Sequence, residues 1–197
     1  MVTNLILVCI ATVIFIVYNA IAVHNFGIPK SLSDTFYYYN EKRNHPEWKL
    51  NNLGWFFTAM MVAVAFMLMP AWISITEIIT SWSNYLTVLP FLGAGSIIFV
   101  GTAPAFRANK MERTVHSVAA KCAAAFSLAW DAIVCYKVCY IIPIALLIVA
   151  ALAHITKTQK TALTYWLEMV AFIATFTTII VECCILLFEV NDYLYIK

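Results

Sequence analysis

The sequence predicts an all-α integral membrane protein, a bundle of six transmembrane helices in one domain spanning residues 1–197. Hydrophobic residues make up 63% of the chain and charged residues only 11%. The apolar residues gather into six windows, each about long enough to cross roughly 30 Å of hydrocarbon as a helix. The predicted spans are residues 5–23, 53–76, 85–105, 114–134, 138–155 and 162–188.

The first window could also be a secretory signal peptide, because Ala20-Ile21-Ala22 resembles a cleavage site after an apolar core. A signal peptide carries a basic segment before that core, and this chain has no lysine or arginine before Lys30. The sequence therefore favours a retained transmembrane helix.

The fourth and fifth windows are separated only by a short segment around Cys135 and Lys137. One fused helix of about 40 residues would be roughly 60 Å long, twice the thickness of the hydrocarbon. The sequence therefore predicts a tight turn near Asp131 to Lys137. Cys135 and Cys139 could form a redox pair or a soft-metal site there, but no histidine or further cysteine flanks them, which favours ordinary small apolar residues.

Basic residues are distributed unevenly between the two predicted sides of the membrane. Of the 12 lysines and arginines, Lys121 lies within a span, and only Lys137 and Lys197 lie on the side of the termini. The others occupy the odd-numbered loops: Lys30, Lys42, Arg43, Lys49, Arg107, Lys110, Arg113, Lys157 and Lys160. Because cytoplasmic loops are enriched in basic residues, loops 1, 3 and 5 are predicted to be cytoplasmic and both termini to lie outside.

Three ionisable residues are predicted to lie inside the bilayer, namely Lys121, Glu168 and Glu182. Lys121 and Glu168 lie at matching depth with opposite charge, so they could pair if their helices are neighbours. Glu168, Thr175, Thr178 and Glu182 follow helical spacing along one side of the sixth span. This stripe should face other helices. It predicts interhelical hydrogen bonds or, alternatively, a site for a lipid headgroup, an ion or a proton.

Small residues form a second pattern in the third and fourth spans. They are Gly93, Gly95, Gly101, Ala119, Ala120, Ala123 and Ala124. Small side chains permit close approach of transmembrane helices, so these positions predict tight packing.

All four histidines are predicted on the side of the odd-numbered loops. His24, His116 and His154, together with the carboxylate of Asp34, could hold a zinc ion with a position left for water. No HxxxH or HExxH pair fixes a local geometry, and polar residues gather at span ends in any membrane protein. The alternative is therefore a set of interfacial histidines with no metal and no other cofactor.

Four short segments, taken in order, resemble the DRAM/Frag/Sfk family of six-span membrane proteins. They are residues 29–35 (PKSLSDT), 45–47 (HPE), 115–126 (VHSVAAKCAAAF) and 179–182 (IIVE). The resemblance implies a non-enzymatic protein linked to lipid handling or membrane organisation. It also implies that Ser33, Asp34, Glu47, His116 and Glu182 define the fold or the function. The family's first loop is usually placed on the outer side, opposite to the orientation that the charges predict.

The sequence thus predicts a non-catalytic membrane protein that binds or organises lipid. A small-solute or ion transporter is one alternative. Another is a zinc-dependent intramembrane lipid hydrolase, because the chain is distantly similar to CREST hydrolases, for which Ser33, Asp34, His24, His116 and His154 are the candidate residues. A net charge of +2 gives no reason to expect nucleic acid as a partner. A homo-oligomer or another membrane protein as partner stays open.

Overall fold

A computed structural model describes residues 1–40, 53–79, 84–138 and 162–195, which contain helices and no strand. Short 3₁₀ turns cover Leu32–Asp34 and Asn84–Thr87. The α-helices of these regions are α1 (Val2–Phe26), α2 (Thr35–Asn40), α3 (Trp55–Ile79), α4 (Val88–Thr102), α5 (Lys110–Val138) and α6 (Leu163–Tyr195).

Five helical segments in the described regions are long and apolar enough to cross a membrane. They are Val2–Phe26, Trp55–Ile79, Tyr85–Thr102, Lys110–Val134 and Leu163–Phe188. The all-α membrane fold predicted from the sequence is thereby confirmed. The predicted span at 138–155 lies outside the described residues.

The long helices form a closed ring. α1 contacts α3, α3 contacts α4, α4 contacts α5, and α6 returns to contact both α5 and α1. Aromatic side chains pack between the helices of this ring. The ring of Phe15 on α1 lies 4.6 Å from that of Phe172 and 5.3 Å from that of Phe176 on α6. Across the bundle, Trp72 on α3 meets Trp130 on α5 edge to face at 5.6 Å.

Glycine permits the close contact between α3 and α4, as the sequence predicts. A Cβ atom on Gly101 would lie 2.7 Å from the Cβ of Met61. At this crossing the hydroxyl of Thr58 donates a hydrogen bond to the Gly101 carbonyl at 2.8 Å. Gly93 is also closely packed, since its Cβ would lie 2.9 Å from the Trp72 ring. At Gly95 no atom of the described residues lies within 4 Å of an added Cβ, so the predicted close packing is not seen there within the described part of the chain.

The predicted turn near Asp131 to Lys137 is wrong, because α5 continues without a break to Val138. Asp131, at the start of the predicted turn, has a partner inside the bundle. Asp131 is fully buried, and one of its carboxylate oxygens accepts a hydrogen bond from the Thr175 hydroxyl at 3.1 Å. The preceding Trp130 donates its ring N–H to the Thr76 hydroxyl at 2.7 Å.

We expect Gly101→Ala to lower the free energy of unfolding by roughly 1–3 kcal/mol, the usual cost of overpacking. The added methyl group would meet the Cβ of Met61, which is fixed to the backbone and cannot rotate away. Gly95→Ala on the same helix is the matched control, since its Cβ would meet no atom of residues 1–40, 53–79, 84–138 or 162–195 within 4 Å. Titration of dodecyl sulfate into mild detergent measures the unfolding of both variants. Equal destabilisation would contradict the close contact of α3 and α4.

Candidate functional site

The first loop folds back against one end of the bundle and is held there by two helices. The Leu32 N–H donates to the carboxylate of Glu168 on α6 at 2.6 Å, and the Tyr165 N–H of α6 donates to the Lys30 carbonyl at 3.2 Å. On the other side, the Tyr18 hydroxyl of α1 lies 2.6 Å from the hydroxyl of Thr35, which follows the turn. The loop is therefore enclosed between α1 and α6.

The 3₁₀ turn at Leu32–Asp34 places Ser33 against His116 on α5. The turn begins at Ser31, whose hydroxyl accepts a hydrogen bond from the Asp34 N–H at 3.2 Å, in the manner of a helix cap. His116 stacks on the ring of Phe106 at 4.5 Å. The Nε2 atom of His116 then lies 2.8 Å from the Ser33 Oγ atom.

Both ring nitrogens of His116 are engaged, and their partners fix the tautomer. Nδ1 lies 3.0 Å from the Ala103 carbonyl oxygen. Because a carbonyl can only accept, the proton of the neutral imidazole is on Nδ1. Nε2 therefore presents a lone pair, and the Ser33 hydroxyl is the donor in the bond between them.

Asp34 forms an ion pair with Arg107 from the connection between α4 and α5. The two side chains are 2.5 Å apart, with 7% of the Asp34 side chain exposed and 44% of that of Arg107. The guanidinium also lies over the Tyr37 ring, 4.7 Å from its centre. The backbone N–H of Arg107 donates a hydrogen bond to the Tyr37 hydroxyl at 2.6 Å. The carboxylate of Asp34 is thus bound to Arg107, while a backbone carbonyl holds Nδ1 of His116.

The predicted pair of Lys121 and Glu168 is not formed, although α5 and α6 are neighbours. Lys121 is exposed and forms no ion pair with Glu168. Position 121 lies about 140° around α5 from the inward-facing His116 at 100° per residue. The prediction paired Lys121 and Glu168 because they are at matching depth in the sequence, but the two side chains face different directions. Glu168 instead accepts the N–H of Leu32.

The polar stripe on α6 faces the bundle interior, as the sequence predicts. Thr175, Thr178 and Glu182 are 2–4% exposed. Thr175 bonds Asp131, a residue that sequence reasoning placed in a turn. Asp131 lies four residues after Ser127, so the two side chains are on the same face of α5, and both are buried. This polar i,i+4 spacing is the signal that would have assigned Asp131 to the inner face of a continuous helix.

A partly open cavity lies between the first-loop turn and helices α3 to α6. The volume open to the centres of water-sized groups is about 80 Å³. One water needs roughly 10–15 Å³ by the same measure, so the cavity has room for several such groups. Its wall is mostly apolar and includes Met61, Leu68, Ile97, Val100, Ala123 and Phe172. Polar side chains are few: Ser33 and Glu168 at the first-loop end, and Ser127 and Thr175 deeper, about 10 Å further along α6 at the helical rise.

The residues of the predicted zinc site are only partly brought together. His116 lies beside the turn that carries Asp34, but His24 is exposed at the end of α1 and His154 lies outside the described residues. In the described parts of the chain, no group of three or more His, Cys, Asp and Glu could hold a metal ion. Cys139 and the side chain of Cys135 are also outside what the structure describes, so that predicted pair stays a prediction.

The fold and the site define an integral membrane helical bundle with a mostly apolar cavity and a serine–histidine pair whose serine lines that cavity. No protein-family model, curated protein or solved structure matches the chain. The resemblance to the DRAM/Frag/Sfk family and to CREST hydrolases therefore stays a prediction. Of the motif residues, Ser33, Asp34 and His116 lie together, Glu182 is roughly 21 Å from Glu168 along α6, and Glu47 is outside the described residues.

We expect Arg107→Gln to destabilise the protein by roughly 1–3 kcal/mol, because the variant leaves the buried Asp34 carboxylate without its charged donor. The double variant with Asp34→Asn should recover most of this loss, since it removes the uncompensated charge. The exposed Lys110→Gln removes a positive charge from the same end of the bundle and should change stability by less than about 0.5 kcal/mol. The free energies of unfolding of both single variants and the double variant are measured in detergent. If the two single losses simply add in the double variant, the ion pair is contradicted.

Proposed function

We propose that this protein binds the acyl chain of a membrane lipid in the cavity between the first-loop turn and helices α3 to α6. The observation that carries the proposal is the composition of the cavity wall, which is apolar over most of its surface and has the side chains of Ser33 and Glu168 at the first-loop end. A lipid has the same division, because its chain is apolar and its ester and headgroup are polar.

The position of the polar residues supports a lipid rather than a small water-soluble solute. Ser33 and Glu168 line the cavity at the end where the first-loop turn lies, and Arg107, which is paired with the neighbouring Asp34, has its guanidinium partly exposed at this end. A polar headgroup could contact these residues while its chain points towards Leu68. A transport path would need polar groups along its length, whereas leucine, isoleucine, valine, alanine and phenylalanine dominate this wall.

Photo-crosslinking tests lipid binding in nanodiscs of phosphatidylcholine that carries a diazirine on its acyl chain. We expect adducts on Met61 and Phe172, which line the cavity, besides those on outward-facing residues such as Phe66. Ala123→Leu fills the cavity from α5. It should lower the interior adducts roughly tenfold, because overpacking costs about 1–3 kcal/mol and each 1.4 kcal/mol is a factor of ten.

Ala125→Leu is the matched control, since Ala125 is exposed on the same helix and does not line the cavity. Adducts on Phe66 serve as the internal reference for the lipid content of each sample. Interior adducts that are absent from the natural sequence, or that persist unchanged in Ala123→Leu, would overturn the proposal.

We further propose that the end of the bundle carrying the first-loop turn is cytoplasmic and that the N-terminus lies outside, as does the C-terminus. The basis is the excess of lysine and arginine in the odd-numbered loops, of which Lys30, Arg107 and Lys110 belong to this end. Loop 5 would then be cytoplasmic as well.

Single cysteines in a cysteine-free background test this orientation. An impermeant maleimide should label positions Val2 and Tyr85 in intact cells. Positions Lys30 and Lys110, which are exposed in the structure, should react only after the membrane is permeabilised. Labelling of Lys30 and Lys110 from outside would reverse the orientation, and a different reactivity of these two positions would contradict their placement at one end.

A further inference from the structure

We infer that Ser33 and His116 are a nucleophile and its general base, and that Ser33 accepts the acyl group of a lipid carboxylic ester held in the cavity. This inference rests on the proposed lipid binding and adds an activity to it, in contrast to the non-catalytic role that the sequence predicts. The substrate class is an ester of a long-chain fatty acid.

The first argument is the protonation state that the hydrogen bonds impose. The Ala103 carbonyl keeps the proton of His116 on Nδ1, so Nε2 is the acceptor of the Ser33 hydroxyl proton at 2.8 Å. Activation of a serine requires this arrangement, in which a base lies within hydrogen-bond distance and a third group orients the base. Here the orienting group is a backbone carbonyl, since Asp34 is bound to Arg107.

The second argument is the position of the hydroxyl. Ser33 lines the cavity, and its neighbour in the bond, His116, is 8% exposed. The hydroxyl of Thr35, two residues later, has a structural role and serves as a comparison. It donates to the Leu32 carbonyl at 2.6 Å, contacts Tyr18, is fully buried and does not line the cavity. Ser33 differs because an ester carbonyl in the cavity could reach it.

The reaction balances with water as the second substrate. The Ser33 Oγ atom attacks the ester carbonyl carbon while its proton moves to Nε2 of His116, and the bond between that carbon and the alcohol oxygen then breaks. The leaving alcohol takes the proton from Nε2, which leaves an acyl ester on Ser33. Water attacks this ester, its proton passes through Nε2 to the Ser33 oxygen, and the free fatty acid is released.

A long-chain alkyl fluorophosphonate tests the inference on the full chain in phosphatidylcholine nanodiscs, because it phosphonylates an activated serine and loses fluoride. We expect one adduct, located on Ser33 by peptide mass spectrometry of the natural sequence. His116→Gln removes the base and should slow the labelling by roughly 10²- to 10⁴-fold. Ser117→Ala is the control, since Ser117 is exposed on the same helix as His116 and is not among the residues that line the cavity; Ser33 should be labelled at the normal rate in this variant.

Release of fatty acid from a radiolabelled diacyl lipid is the second readout and should be lost in Ser33→Ala. Absence of an adduct on Ser33 in the natural sequence would overturn the inference, and this result does not depend on the folding of any variant. Equal labelling of Ser33 in His116→Gln would overturn it as well. If the diazirine lipid still labels Met61 and Phe172 in that case, lipid binding stands and the acyl transfer fails. If those adducts are missing too, the proposed function itself fails.

Discussion

The hydrogen bond from the Leu32 backbone to the Glu168 carboxylate determines where the first loop lies, and the rest of the site depends on it. A loop that enters the end of a membrane bundle must find partners for its backbone groups, because unsatisfied ones cost several kcal/mol in an apolar environment. Glu168 supplies an acceptor 2.6 Å from that N–H. With the turn fixed there, Ser33 lies beside His116 and Asp34 beside Arg107.

The cavity results from the same small residues that elsewhere allow close packing. At Gly101 the backbones of α3 and α4 approach until no methyl group fits between them. On α5, Ala120 and Ala123 face the turn and α6 across a space that remains open. Small side chains thus lead to close helix contact in one part of this bundle and to a cavity in another, depending on whether the opposite helix approaches. At this end the first-loop turn binds to both α5 and α6 and forms part of the wall of that space.

The class of fold could be predicted from the sequence because hydropathy reports directly on burial in lipid. The members of the site could be predicted in part, since Ser33, Asp34 and His116 stand in motifs, but their contact could not. Ser33 and His116 are 83 residues apart, and only the return of the first loop brings them together. Lys121 shows the complementary failure, because the hydropathy pattern gives no direction around the helix axis, and this side chain is exposed rather than turned towards Glu168.

The turn at Leu32–Asp34 joins two helices that come from distant parts of the chain. Through its backbone it is bound to α6, and through Ser33 it is bound to His116 on α5. At this end, α5 and α6 therefore cannot move apart without breaking one of these hydrogen bonds, at a net cost of roughly 0.5–1.5 kcal/mol, or more where the group is charged. A bilayer deformation that moves these two helices apart therefore strains the bond from Leu32 to Glu168 and the bond from Ser33 to His116 together, so the turn couples the serine–histidine pair to the separation of α5 from α6.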